Sequence, residues 1–361
     1  MTTPPIFIST DPAEISAAMI LAFESATGKT LYPSQVERLQ LDLAAYHESL
    51  VRIGIQSACE QNLVAFATGD RLAALGRLVG VERLAATKAV SAFQITLPSS
   101  VGYDSVFPVG WQATETYSGA WALTAEVIIP AGQVSRTAAC ECLTPGIKGN
   151  GIPAGSNFSP MLGNSTVLST VISADGSAAE TDEQLRARIL QAPFGFSVAG
   201  PSGAYRFHAL GAHPSITDVA VSNLGAGTVG VYLLTATGLP SQAVIDAVQA
   251  ALSAENVRPL CDAVTVASPT RVPFAVEANV TTFSTADTAM VQSAVTAAAE
   301  AYVAGRKSGL GRDLVASQVL RALGVEGAYK VELIGWSDRV IVASEWADGT
   351  FLVHMVGSAN G

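Results

Sequence analysis

Residues 33–69 read PSQVERLQLDLAAYHESLVRIGIQSACEQNLVAFATG, with a proline only at the start and one internal glycine, Gly54, before Thr68 and Gly69. Pro33 and Ser34 open a helix. Nothing in the stretch stops it, so the sequence predicts about 33 helical residues, roughly 50 Å at 1.5 Å per residue. Val36, Leu39, Leu43, Tyr46, Leu50 and Ile53 recur along it at alternating steps of three and four, a heptad seam that fades at Ser57 and Glu60. Apolar stripes usually pack on their own domain. The length of this one argues instead for a bundle with another chain, which makes those six residues the candidate interface. Upstream, Thr10 or Asp11 caps a helix that runs to about Ala26 and is ended by Gly28. Downstream, Asp70 caps a short helix through Leu72, Leu75 and Leu78 that Gly80 stops. Residues 1–89 therefore read as a helical region.

From Val90 to Ser173 the pattern turns to β, with Thr, Val, Ile and aromatic residues between turn signals. Phe107-Pro108-Val109-Gly110, Ile129-Pro130-Ala131-Gly132 and Ile152-Pro153-Ala154-Gly155 form an internal repeat. Each reads as a tight turn with proline in the second position and glycine in the fourth. Residues 174–213 read as a linker and connecting helices, one capped by Thr181 or Asp182, another from Ser202 to Leu210. Two α+β units follow. In 214–268 the order is strand Ile216 to Ser222, strand Val229 to Thr235, helix Ser241 to Ala254 and strand Ala263 to Ala267. In 269–361 it is strand Phe274 to Phe283, helices Ala286 to Ala304 and Asp313 to Leu323, strand Lys330 to Ile334, and a closing hairpin through Ile341 and Phe351. Both units look like split βαβ modules, so the fold class expected is α+β and multidomain, with long N-terminal helices and a β-rich middle.

The whole chain has 361 residues, of which 14% are charged and 49% hydrophobic, and its mean hydropathy is +0.36. An average soluble domain is about 25% charged. No apolar run reaches the roughly 18 residues of a bilayer span, and no Lys or Arg precedes Lys29, so neither membrane insertion nor a secretory signal is expected. A chain so short of charge can cover its apolar surface with other subunits, which favours an assembly component. A net charge of −10 opposes a phosphate-binding surface, so no nucleic-acid partner is expected. Cys59, Cys140, Cys142 and Cys261 are too scattered for a disulfide scaffold.

No motif found along the chain carries chemistry. Gly225-Ala226-Gly227-Thr228-Val229-Gly230 matches the dinucleotide pattern, but a strand follows where the phosphate site needs a helix N-terminus. Gly28-Lys29-Thr30 imitates the end of a phosphate loop, yet it follows a helix. Cys140-Glu141-Cys142 alternates on a strand without a second ligand pair, and His47, His208, His213 and His354 lie at no metal-binding spacing. Gly200-Pro201-Ser202-Gly203 only resembles a nucleophile elbow, with Ser202 better placed as a helix N-cap. No catalytic residue, cofactor or metal site is expected.

Leu31-Tyr32-Pro33 before the long helix, Gln61-Asn62-Leu63 to Ala67-Thr68-Gly69-Asp70-Arg71-Leu72, and Leu75-Gly76-Arg77-Leu78-Val79-Gly80-Val81 resemble the baseplate J-like wedge proteins of contractile-tailed phages. Ile129-Pro130-Ala131-Gly132, Gly146 to Asn150, and Thr181-Asp182-Glu183 with Arg186-Ala187-Arg188-Ile189 look like the middle of that family. Gly227-Thr228-Val229, Val257-Arg258-Pro259-Leu260-Cys261-Asp262 and Leu310-Gly311-Arg312 look like its C-terminal part. Ser99 to Ala120 shows no family pattern. The resemblance implies a structural, non-enzymatic virion protein of the tail baseplate, synthesised in the host cytoplasm. It further implies N-terminal helices bundled with other wedge proteins, a wedge around the tail hub, and C-terminal units that join neighbouring copies into a ring. A wedge of a tail-like bacteriocin or contractile injection system fits the same residues. The reading from a different class is a nucleotide-binding enzyme built around Gly225 to Gly230.

Overall fold

A computed structural model describes residues 3–197, 200–254, 257, 259 and 262–360. The chain divides into a helical unit, residues 3–83 with 181–190, and a second unit holding the rest. Arg258, Leu260 and Cys261 of the C-terminal motif lie outside the described residues.

In the helical unit, α1 (Pro12–Thr27) begins where the side chain of Asp11 accepts the Ala13 N–H, and ends at Gly28 in the left-handed region (φ 68°). The long helix α2 is Val36–Glu60, 25 residues rather than about 33. A tertiary contact ends it. Residues 61–68 fold into a compact turn in which Gln61 Oε1 accepts the Thr68 N–H at 3.0 Å. Arg186, more than a hundred residues later, donates to the Val64 and Ala67 carbonyls at 2.8 and 2.7 Å. Charge-assisted bonds to these carbonyls outweigh two further helical turns. The next helix, α3 (Gly69–Leu78), takes Thr68 as its N-cap residue, so Asp70 lies in the first turn and is not the cap. The Gly69 N–H instead donates to Asp182 at 2.9 Å. That bond and the Arg83 guanidinium hold the Asp182 carboxyl below its usual range.

The second unit opens with β1 (Val90–Thr96), β2 (Ser105–Phe107), β3 (Gln112–Glu115), β4 (Gly119–Leu123), β5 (Val127–Ile129), β6 (Ser135–Cys142), β7 (Asn157–Pro160) and β8 (Thr166–Ser169). Strands β1-β6-β4-β3-β7-β8 close into a barrel with every neighbouring pair antiparallel; β2 and β5 pair separately. Alternate residues fill its interior: Phe93 and Ile95 from β1, Trp121 and Leu123 from β4, Cys140 and Cys142 from β6. Burial pushes the Cys140 thiol up to about 12; Cys140 and Cys142 are both buried among the barrel's apolar residues and serve there as small core groups. The three Pro-x-Gly repeats are turns in a different phase from the expected one. Proline is the first residue, its carbonyl accepting from Trp111, Gln133 or Ser156, and glycine is the third. Gly110, Gly132 and Gly155 have φ of 80°, 83° and 86°, a third position in which a side chain would be strained. The chain enters and leaves the barrel side by side, through the Thr87–Ser177 and Val90–Ala174 bridges. The helical unit is therefore assembled from two separated segments.

After the barrel, Thr181 and Gln184 form a reciprocal capping box that starts α4 (Asp182–Gly195). Then α5 (Ser202–Ala212) follows with Pro201 at the N-cap, so Ser202 is the first helical residue and not the cap. It packs with α6 (Gln242–Ser253) on a sheet of β9 (Ile216–Gly225), β10 (Thr228–Thr235) and β11 (Ala263–Ala267), in the order β11-β10-β9. The Gly225-Ala226-Gly227-Thr228 segment is the hairpin turn from β9 to β10, with Gly225 and Gly227 at φ 144° and 70°.

The last part comprises β12 (Thr270–Phe283), α7 (Thr288–Lys307), α8 (Ala316–Leu323), β13 (Ala328–Leu333) and β14 (Glu345–Ala359), with sheet order β13-β12-β14. Neither sheet is a split βαβ, because the parallel strands β10/β11 and β12/β14 are direct neighbours with no strand between them. No closing hairpin forms: β13 and β14 occupy opposite edges, and Ile341 lies buried in the loop between them. Helix α8 starts at Ala316 rather than Asp313, its first N–H capped by the distant Asp338, while Asp313 accepts from Ile341.

Half-burial lowers the pKa of His208 and of His213, for which Asp175 works in the opposite direction. The unfolded chain takes up these protons near pH 6.5, whereas the folded chain resists them to lower pH. Stability is therefore full above about pH 6.5 and erodes as the pH falls below it. Melting temperatures at pH 7.5 and 5.5 check this: His213→Gln is expected to narrow the difference, and an unchanged gap refutes the assignment.

Candidate assembly interface

Helix α2 carries two stripes. One faces its own chain and is polar or small: Asp42, Ala45, Ser49, Arg52 and Gln56, at heptad-like steps. Ser16 Oγ donates to Asp42 at 2.5 Å, Ser49 Oγ to the Thr10 carbonyl at 2.6 Å, and Arg52 to the Ser9 carbonyl at 3.5 Å. Gln56 accepts the Phe7 N–H at 2.8 Å and donates to the Pro5 carbonyl at 2.8 Å. The partners run backwards along the chain as α2 runs forwards, so α1 and the segment before it lie antiparallel to α2. Only Ala45 and Ser49 of α2 are buried.

The other stripe is the heptad seam, and it faces outwards. Val36, Leu39, Leu43, Tyr46, Leu50 and Ile53 are 47–66% exposed, with Val51 and Ile55 exposed beside them. An amphipathic helix of a self-contained domain buries its apolar stripe and shows water its polar one. Here the arrangement is inverted. Covering the six seam side chains would contribute on the order of 1 kcal/mol each, a driving force the isolated chain leaves unused. The sequence pattern finds this seam; it gives no sign of the polar stripe behind it, because Gln56 and Ser49 acquire their roles only from the path of residues 5–16.

The remaining candidates are chemically quiet. An open cleft of about 410 Å³ is lined by Arg206, Asp218, Leu310 and Ile341. Its charges are already used: Arg206 pairs with Asp218 at 2.6 Å, and the other Asp218 oxygen accepts the Leu310 N–H at 2.9 Å. Among the described residues no group of three or more His, Cys, Asp or Glu could hold a metal ion, and no helix is long and apolar enough to cross a membrane.

Comparison with known proteins adds three domain matches in chain order. Residues 38–89 match the Baseplate J-like N-terminal domain, 197–268 the Baseplate J-like central domain, and 274–350 the Baseplate J-like protein C-terminal domain. Together they cover more than half of the chain, and the first contains all of the seam except Val36. Baseplate protein J of Escherichia phage P2 is 35% identical over 156 residues, which are 43% of this chain and 51% of that protein, about half its length. A chain of the 6-fold symmetrised cryo-EM structure of the anti-feeding prophage baseplate is similar with a TM-score of 0.48 and 13% identity, over 93% of this chain and 90% of the other.

Proposed function

This chain belongs to the baseplate J-like family, and from that premise we propose that it is a structural component of the baseplate of a contractile tail or related injection system. In this reading α2 enters a helical bundle with other wedge proteins, wedges stand around the tail hub, and the two C-terminal α+β units contact the same protein in the neighbouring wedge. The role is structural, and its place is the virion tail.

The observation that carries the reading is the inverted α2, whose own-chain contacts use the polar stripe while the seam stays exposed. Ring closure needs a second contact repeated at every step. The bundle cannot supply it once α2 is committed to wedge partners, and the compact C-terminal sheets, with their strand edges, are suited to it. A pull-down with the tagged chain from lysate of the producing cells tests the proposal. Tail proteins are expected to co-purify in fixed ratio. Recovery of the chain alone from a lysate that contains assembled tails refutes it.

A further inference from the structure

Strand β14 is an edge strand, paired with β12 on one side and with nothing on the other among the described residues. At its start the edge is occupied, since the Glu345 carbonyl accepts from Gly311 at 3.1 Å and Asp348 is held by Arg271 and Lys307. At its far end Gly357, at φ 138°, marks a bulge where the register with β12 shifts. Between these lies a regular free edge, residues 349–355. From Gly349 to Asn360 no Asp, Glu, Lys, Arg or Pro interrupts it. Native sheets protect long free edges with charges, proline or bulges, so a seven-residue edge without charge is open to another strand. The other edges of the two C-terminal sheets differ. Strand β9 carries Asp218, β13 carries Lys330 and Glu332, and β11 is five residues long.

We infer that residues 349–355 of β14 pair antiparallel with the same strand of a second copy, joining two three-stranded sheets into one of six strands. The occupant follows from the strand's own composition. A chain of net charge −10 meets a second copy best across an uncharged segment. Centred on Leu352, the pairing is self-complementary: Leu352 faces Leu352, Phe351 faces Val353, and Thr350 faces His354. Aromatic against β-branched is a favoured cross-strand pair. Leu352 is 54% exposed on the sheet face opposite the packed core, so its apolar surface is available to a partner. The contact is isologous, as a two-fold pair requires. This inference rests on the reading of the C-terminal units as the self-contact and names the strand that makes it.

The test uses the full chain with Leu43→Asp and Leu50→Asp, which silence the α2 seam, followed by sedimentation at rising concentration. This background is expected to form dimers. Adding Leu352→Lys, or separately Leu352→Glu, places like charges opposite each other and is expected to weaken the dimer by at least about tenfold. Mixing the Lys and Glu chains is expected to restore it, with circular dichroism unchanged throughout. Dimers untouched by Leu352→Lys overturn the strand assignment while leaving C-terminal self-contact standing. A background chain that stays monomeric overturns both. A mixture that fails to recover overturns the register. Association that appears only when another wedge protein is added, and is lost with Leu352→Lys, gives the edge to a foreign strand and overturns self-pairing.

Discussion

A chain carrying Leu43→Asp and Leu50→Asp is expected to fold normally and to be lost from the assembly. Both leucines are about half exposed, so in the free protein the changes cost little beyond the lower helix propensity of aspartate, roughly 0.5 kcal/mol each. In a closed bundle each aspartate would be an unpaired buried carboxylate, at a cost of several kcal/mol. Recovery with partner proteins should then fall more than about a hundredfold. Ala45→Asp supplies the opposite control. Ala45 is 1% exposed on the stripe packed against the chain's own N-terminal segment, so this change should lower the melting temperature of the free chain itself. Circular dichroism melts and co-purification separate the two effects. If the double variant still co-purifies at the wild-type level, the seam is not the assembly contact.

The second large effect belongs to the barrel. Trp121 is fully buried, with its ring 5.8 Å from that of Phe158 and 6.2 Å from that of Phe93. Its Nε1–H donates to Ser118 Oγ at 2.8 Å, and that hydroxyl donates to Glu115 at 2.8 Å. Trp121→Ala is expected to cost about 3–5 kcal/mol, since a closed barrel cannot collapse around the space left behind. Trp121→Phe keeps most of the ring but leaves the Ser118 hydroxyl without its donor, and should cost about 1–3 kcal/mol. Scanning calorimetry of the full chain measures both. Equal losses would mean that the hydrogen bond, not ring packing, carries the site.

What could be read from the residues divides along the range of the forces involved. Helix α1 was legible at both ends, because Asp11, one of the two caps the sequence offers, and Gly28 act within one turn of the residues they cap. The seam of α2 was legible as a period. The end of α2 was not, since it is set by Arg186 reaching back from another helix, and no local signal at Gln61 announces a partner so distant in sequence. The Pro-x-Gly repeats were visible as turns but out of phase by one residue. Proline suits either of the first two turn positions, and only the φ of the glycine decides between them. Closure of the barrel depends on β1 pairing with both β6 and β8, a register spread over about eighty residues. The same holds for β14: its composition reads as a strand, but its place beside β12 rather than beside β13 is a tertiary choice.

The division of α2 into two stripes also bears on how such a part can change over generations. In the proposed bundle, substitutions along the seam would meet the partner and not the chain's own core, and substitutions along the Asp42 to Gln56 stripe would meet the chain and not the partner. On that reading, selection on whom the helix binds would be separated from selection on whether the chain folds. Seam residues would then be free to drift in step with the partner helix of the proposed bundle without passing through an unfolded ancestor.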